Sequence, residues 1–114
     1  MKNTRLLSQS EKAVLEKISA GAAALPGVSR IVFFGSRNRG DFSKDSDLDI
    51  LIILKDISHK DNAIRFLHDL ELAYDVPLAP VIYTEHEYEI NKRMKSGFVL
   101  NIEKEGTVLY DALS

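Results

Sequence analysis

The sequence predicts a small α/β domain, a mixed sheet of three to five strands with helices mainly on one side. Two apolar runs, Arg30 to Phe34 and Asp47 to Leu54, have the β-branched character of buried strands. Stretches of helical spacing lie before the first run and after the second, so the sheet has helices to cover it. A third short run, Val81-Ile82-Tyr83, adds a further strand.

Taken in order, Ser8 with Glu11 forms a capping box, and Val14, Leu15, Ile18 and Ala22 then recur at helical spacing until Pro26-Gly27. The Arg30 to Phe34 strand runs straight into Gly35-Ser36, a tight turn. Residues 37 to 46, RNRGDFSKDS, form a polar loop or one irregular helical turn. The next strand, DLDILIIL, carries two acids at its leading end. From His59 to Tyr74, Ala63, Ile64, Leu67 and Leu70 keep the helical period, and the helix ends before Pro77. Thr84 caps a helix that opens with Glu85 and Glu87 and is expected to stop near Gly97. Thr107 to Tyr110, after Gly106, reads as an edge strand or extended tail.

At 114 residues the chain suits one domain spanning 1–114, and 45% apolar with 28% charged residues is the profile of a globular protein in solution. Its longest apolar runs fall far short of the roughly 20 residues of a membrane span, and the N-terminus lacks a signal-type apolar segment, so a cytoplasmic protein is expected. Absence of cysteine excludes disulfides and thiolate chemistry, and oxygen donors favour a hard cation such as Mg²⁺. A net charge of -2 supplies no general basic field for nucleic acid, so any anion must meet a local site. His59, His68 and His86 have no ligand spacing and receive no role.

Residues two apart on a strand point to one face, so Asp47 and Asp49 project side by side while Leu48 turns into the core. Two carboxylates so placed can share a pair of metal ions on a triphosphate, although a solvated strand end gives the same pattern. Gly35 lets the backbone approach a phosphate and Ser36 adds a hydroxyl beside it, although Gly-Ser after a strand is also an ordinary turn.

The run FFGSRNRGDFSKDSDLDI, Phe33 to Ile50, resembles the signature of the minimal nucleotidyltransferase family within the DNA polymerase β superfamily: Gly-Ser, ten residues, then Asp-x-Asp. The Arg39-Gly40 pair matches the family's GSxxRG form, with Asn38 where alanine is usual, and the ending SGFVLNIEKEGTVLYD is similar to that family's ending. The resemblance implies that Gly35 and Ser36 hold the β and γ phosphates while Asp47 and Asp49 bind Mg²⁺. Arg37, Arg39 and Lys44 are candidates for neutralising the triphosphate, and Ser46 either donates to phosphate or caps the strand.

The family's third carboxylate sits on a later strand facing the first two. Here the aligned position is Pro77, and Asp75, two residues earlier, can take the part only if the strand already runs there. If Asp75 is a turn residue, the metal site has two acids and catalysis is less assured than nucleotide binding. ATP is the donor by analogy, and the size of the chain points to an acceptor that is another macromolecule or is held by a partner.

Proteins of this kind are often antitoxins that attach AMP to a tyrosine of a HEPN-domain ribonuclease toxin, so a HEPN-domain partner is expected. The alternative is a non-catalytic module that binds nucleotide or neutralises a partner. Modification of a small molecule such as an aminoglycoside ranks below both, because relatives with that activity generally carry an additional domain.

Overall fold

Strand β2, Leu48–Leu54, is the backbone of the molecule: Leu48, Ile50, Leu51, Ile52 and Leu54 have no exposed surface. A strand apolar on both sides must be covered on both sides, and the computed structural model, which describes residues 7–39 and 47–113 and of Ser36 and Arg39 only the backbone, shows how. The strand order is β3-β2-β1-β4. Strand β1, Val28–Phe34, pairs antiparallel with β2, and β4, Thr107–Asp111, pairs antiparallel with the other side of β1. Strand β3, Leu78–Thr84, runs parallel to β2. The sheet is therefore mixed and four-stranded, within the expected range.

One face is closed by the two long helices, α1 (Gln9–Gly21) and α3 (Lys60–Tyr74). Val14 and Ile18 from α1 and Ala63 and Leu67 from α3 meet Ile31, Phe33, Leu48, Ile50, Ile52 and Leu54 there. The capping box of Ser8 and Glu11 is present, with Glu11 N–H donating to the Ser8 hydroxyl at 3.0 Å and Ser8 N–H donating to Glu11 Oε1 at 2.7 Å. Helix α1 ends at Gly21, and a short 3₁₀ turn, Ala22–Ala24, leads to Pro26.

The other face is covered in part by α4 (Glu85–Arg93) and α5 (Gly97–Glu105), where Tyr88, Val99 and Ile102 pack on Val32, Leu51 and Ile53. The expectation of helices mainly on one face thus holds for the two long ones. Where one helix was expected from Thr84 to near Gly97, there are two. Lys95 takes a left-handed conformation at φ 56°, which breaks the helix, and the Ser96 hydroxyl then accepts from Val99 N–H as the cap of α5. Gly97 opens a helix where a stop was expected.

Strand β3 is longer than the three residues expected, because its pairing with β2 continues through Pro80. Proline cannot donate to a ladder, and β3 is an edge strand, where that loss is tolerated. Among the described residues no helix is long and apolar enough to cross a membrane.

Candidate active site

The site forms where β1 ends and β2 begins, because antiparallel pairing puts Phe34 opposite Asp49. The chain turns at Gly35 with φ +82°, a conformation that costs a residue with a side chain about 1–2 kcal/mol. The turn also sits against an acid: a Cβ on Gly35 would lie 2.0 Å from Asp49 Oδ2. Only a residue without a side chain lets the backbone reach that carboxylate. From Gly35 the chain enters a five-residue helix, α2 (Gly35–Arg39).

Asp47 is exposed just ahead of β2, Leu48 is fully buried in the α1/α3 core, and Asp49 is partly buried on the opposite face. Leu48 thus turns into the core between the two acids, as expected. Leu48 N–H donates to Pro77 C=O at 3.1 Å, so the β2–β3 pairing reaches back to Pro77. In this register Asp49 faces Ala79 and Leu51 faces Val81. The β3 positions beside the acids are therefore Pro77 and Ala79, neither a carboxylate, and among the described residues no cluster of three or more ligand-type side chains could hold a metal ion.

Asp75 does not lie on the strand. It is the exposed cap of α3, left-handed at φ 53° and ψ 45°, with its N–H donating to Glu71 C=O. Asp tolerates that conformation, and Val76 N–H also donates to Glu71 C=O, at 3.3 Å, closing the helix end. The condition under which Asp75 would join the site, a strand already running there, is not met.

Arg37 is 6% exposed and its guanidinium forms an ion pair with Glu11 of α1, the acid of the capping box. That ion pair fastens α2 to α1. Asn38 is buried as well: its Nδ2 donates to Glu105 C=O at 2.9 Å, and its Oδ1 accepts from the Thr107 hydroxyl at 2.7 Å. The residue that departs from alanine thus ties α2 to the junction of α5 and β4. Sequence reading gave neither Glu11 nor Asn38 a place near the site, and only the departure at Asn38 offered a signal. Gly40, Lys44, Ser46 and the side chains of Ser36 and Arg39 lie outside the described residues.

A far end of the same face holds a charge network. Tyr88 donates to Glu103 at 2.5 Å, Arg30 and Lys92 pair with Glu103 at 3.3 Å each, and Arg30 also pairs with Asp111 at 3.7 Å. The hydrogen bond from Tyr88 holds the Glu103 carboxyl below its usual range. Burial, then that same bond, pushes the Tyr88 hydroxyl well above its usual range.

The Gly-Ser turn is thus held against the second acid of the Asp-x-Asp strand. The family model described as a nucleotidyltransferase domain matches residues 12–109. The chain belongs to that family. It is 36% identical over 101 residues to a Methanocaldococcus jannaschii protein named "putative protein adenylyltransferase", covering 88% of this chain and 97% of that one. A second protein of that organism with the same name is 32% identical over 82 residues, covering 69% of this chain and 76% of the relative.

The fold is shared with solved structures. A toxin-antitoxin crystallised with AMP-PNP superposes with a TM-score of 0.57 at 20% identity, over 87% of this chain and 73% of the other. A mutant of the toxin-antitoxin MntA-HpeT does so at 0.56 and 15% identity, with the same coverages. This nucleotidyltransferase domain therefore has the mixed-sheet architecture of those proteins.

Proposed function

We propose that this nucleotidyltransferase passes AMP from Mg²⁺-bound ATP to a macromolecular acceptor, acting as the antitoxin of a HEPN-domain partner. The observation that carries the reading is the contact between the Gly35 turn and the Asp49 carboxylate, which unites the two halves of the motif. The names of the two relatives support adenylyl transfer, and the toxin-antitoxin neighbours, one crystallised with AMP-PNP, support the nucleotide and the partner.

An all-oxygen pair of carboxylates fits Mg²⁺, which needs few protein ligands and keeps water or phosphate oxygens for the rest. Asp47 and Asp49 would hold it, and the ion would supply charge neutralisation at the triphosphate. Gly35 and Ser36 bind the phosphates, with Arg39, Lys44 and Ser46 as further phosphate contacts from the intervening segment. The acceptor hydroxyl attacks the α-phosphate in line, the bond to the bridging oxygen breaks, and pyrophosphate leaves. Without a carboxylate at Pro77 or Ala79, the acceptor's proton passes to the Asp47–Asp49 pair or to water.

The β3 register favours a second reading, a non-catalytic module that binds nucleotide or neutralises a partner, since no described acid faces Asp47 and Asp49. One experiment separates the two. Label from α-labelled ATP with Mg²⁺ should enter a protein band of the host lysate with the wild-type chain, and not from γ-labelled ATP. The Asp47→Asn/Asp49→Asn pair should lower that labelling at least about a hundredfold, since metal charge stabilisation is worth several kcal/mol. ATP binding without labelling of any band would establish the second reading.

A further inference from the structure

Beside the Gly35 turn lies a cavity of about 180 Å³ between β1, α2 and α5. Phe34, Phe98 and Ile102 give it apolar walls, Gly35 and Gly106 open its backbone surface, and Asn101 of α5 borders it. Phe34 and Phe98 meet edge to face, with ring centroids 5.2 Å apart at 86°, so two aromatic surfaces at right angles face the space. Both rings are only partly buried.

The volume is below the roughly 300 Å³ at which pockets begin to enclose a whole drug-sized ligand, so it suits one flat ring system. Asn38 also lines the cavity, but its amide is occupied on both sides by Glu105 C=O and the Thr107 hydroxyl. Asn101 is exposed, and its carboxamide makes no hydrogen bond to the described residues. An open carboxamide beside an aromatic slot can both donate and accept along one edge of a purine. Asn pairs in that way with adenine N7 and N6, whereas guanine offers two acceptors on the same edge.

We infer that this cavity receives the nucleobase of the bound triphosphate, with Phe98 as its stacking surface and Asn101 selecting adenine over guanine. The inference rests on the transferase reading, because it is the shared Gly35 that joins the cavity to the phosphate site. It assigns base selection to α5, an element outside the Gly-Ser and Asp-x-Asp motif.

The test is calorimetric titration of the full chain with Mg²⁺ plus ATP, GTP or inorganic tripolyphosphate. Phe98→Ala should weaken ATP binding about tenfold, the order of one base–aromatic stack, and leave tripolyphosphate unchanged. Asn101→Leu, at an exposed position that does not threaten folding, should erase the preference for ATP over GTP. Equal loss of ATP and tripolyphosphate, or unchanged ATP binding in both variants, would overturn the base site. Unchanged ATP affinity with reduced labelling of the acceptor would overturn it too, in favour of an acceptor site. If the wild-type chain binds tripolyphosphate and ATP equally, the base site falls and the phosphate site stands; if it binds neither, both fall.

Discussion

The two faces of the sheet do different work with the same strands. Among the described residues, fourteen buried apolar side chains under α1 and α3 make a continuous core. Under α4 and α5 there are six, flanked by Asp49 at one end and the Glu103 network at the other. Strand β2 contributes to both by alternation, so Leu48, between the two acids, anchors the chain while its neighbours face solvent or the site. The contrast teaches that the closed face anchors the strand that carries the acids, while α2 is tied to both faces, through Arg37 to α1 and through Asn38 to the junction of α5 and β4.

The largest expected effect follows directly. Leu48→Ala removes a fully buried side chain from the closed face and should cost about 2–5 kcal/mol in urea denaturation. Val99→Ala, on the sparser face, removes fewer buried atoms and should cost about 1–2 kcal/mol. Equal losses at the two positions would break the comparison.

Arg37 sharpens it. The residue belongs to the motif that marks the site, yet it is buried and paired with Glu11 on a helix of the closed face. Glu11 is only partly buried, so leaving it without its partner should cost about 1–3 kcal/mol in Arg37→Met, and Glu11→Gln in the same background should restore part of it. ATP affinity measured well below the melting temperature should stay within about twofold. A larger drop in affinity with stability unchanged would return Arg37 to the phosphates.

These residues also mark what could be read in advance. The ten-residue spacing of Gly-Ser to Asp-x-Asp and the alternation from Asp47 to Leu54 are local, and both were legible, as were the capping box at Ser8 and the helix cap at Thr84. The break at Lys95 was not, because Gly97 reads equally as the end of one helix and the first residue of the next. Arg37 and Asn38 take their partners 26 and 67 or 69 residues away, and nothing in a short window announces such pairs. Asp75 was legible only as a choice between strand and turn, and the left-handed cap of α3 decided it.

The smallest effect concerns the far end of the open face, where a charge network adds to the packing of α4 and α5 on the sheet. Hydrogen bonding from Tyr88 lowers the folded-state pKa of Glu103 below its ordinary 4.5. A lowered pKa means that the ionised form is favoured by folding, so the contribution is present above pH 4.5 and is lost as pH falls through the folded value. Glu103 is about one-third exposed, which keeps the network in the range of surface pairs, about 1 kcal/mol or less. Glu103→Gln should therefore lie slightly below wild type in urea denaturation at pH 7, and the two curves should converge as pH drops toward 3. A gap that persisted in acid would mean that the carboxylate acts by packing and not by charge, and the two faces would then differ in density alone.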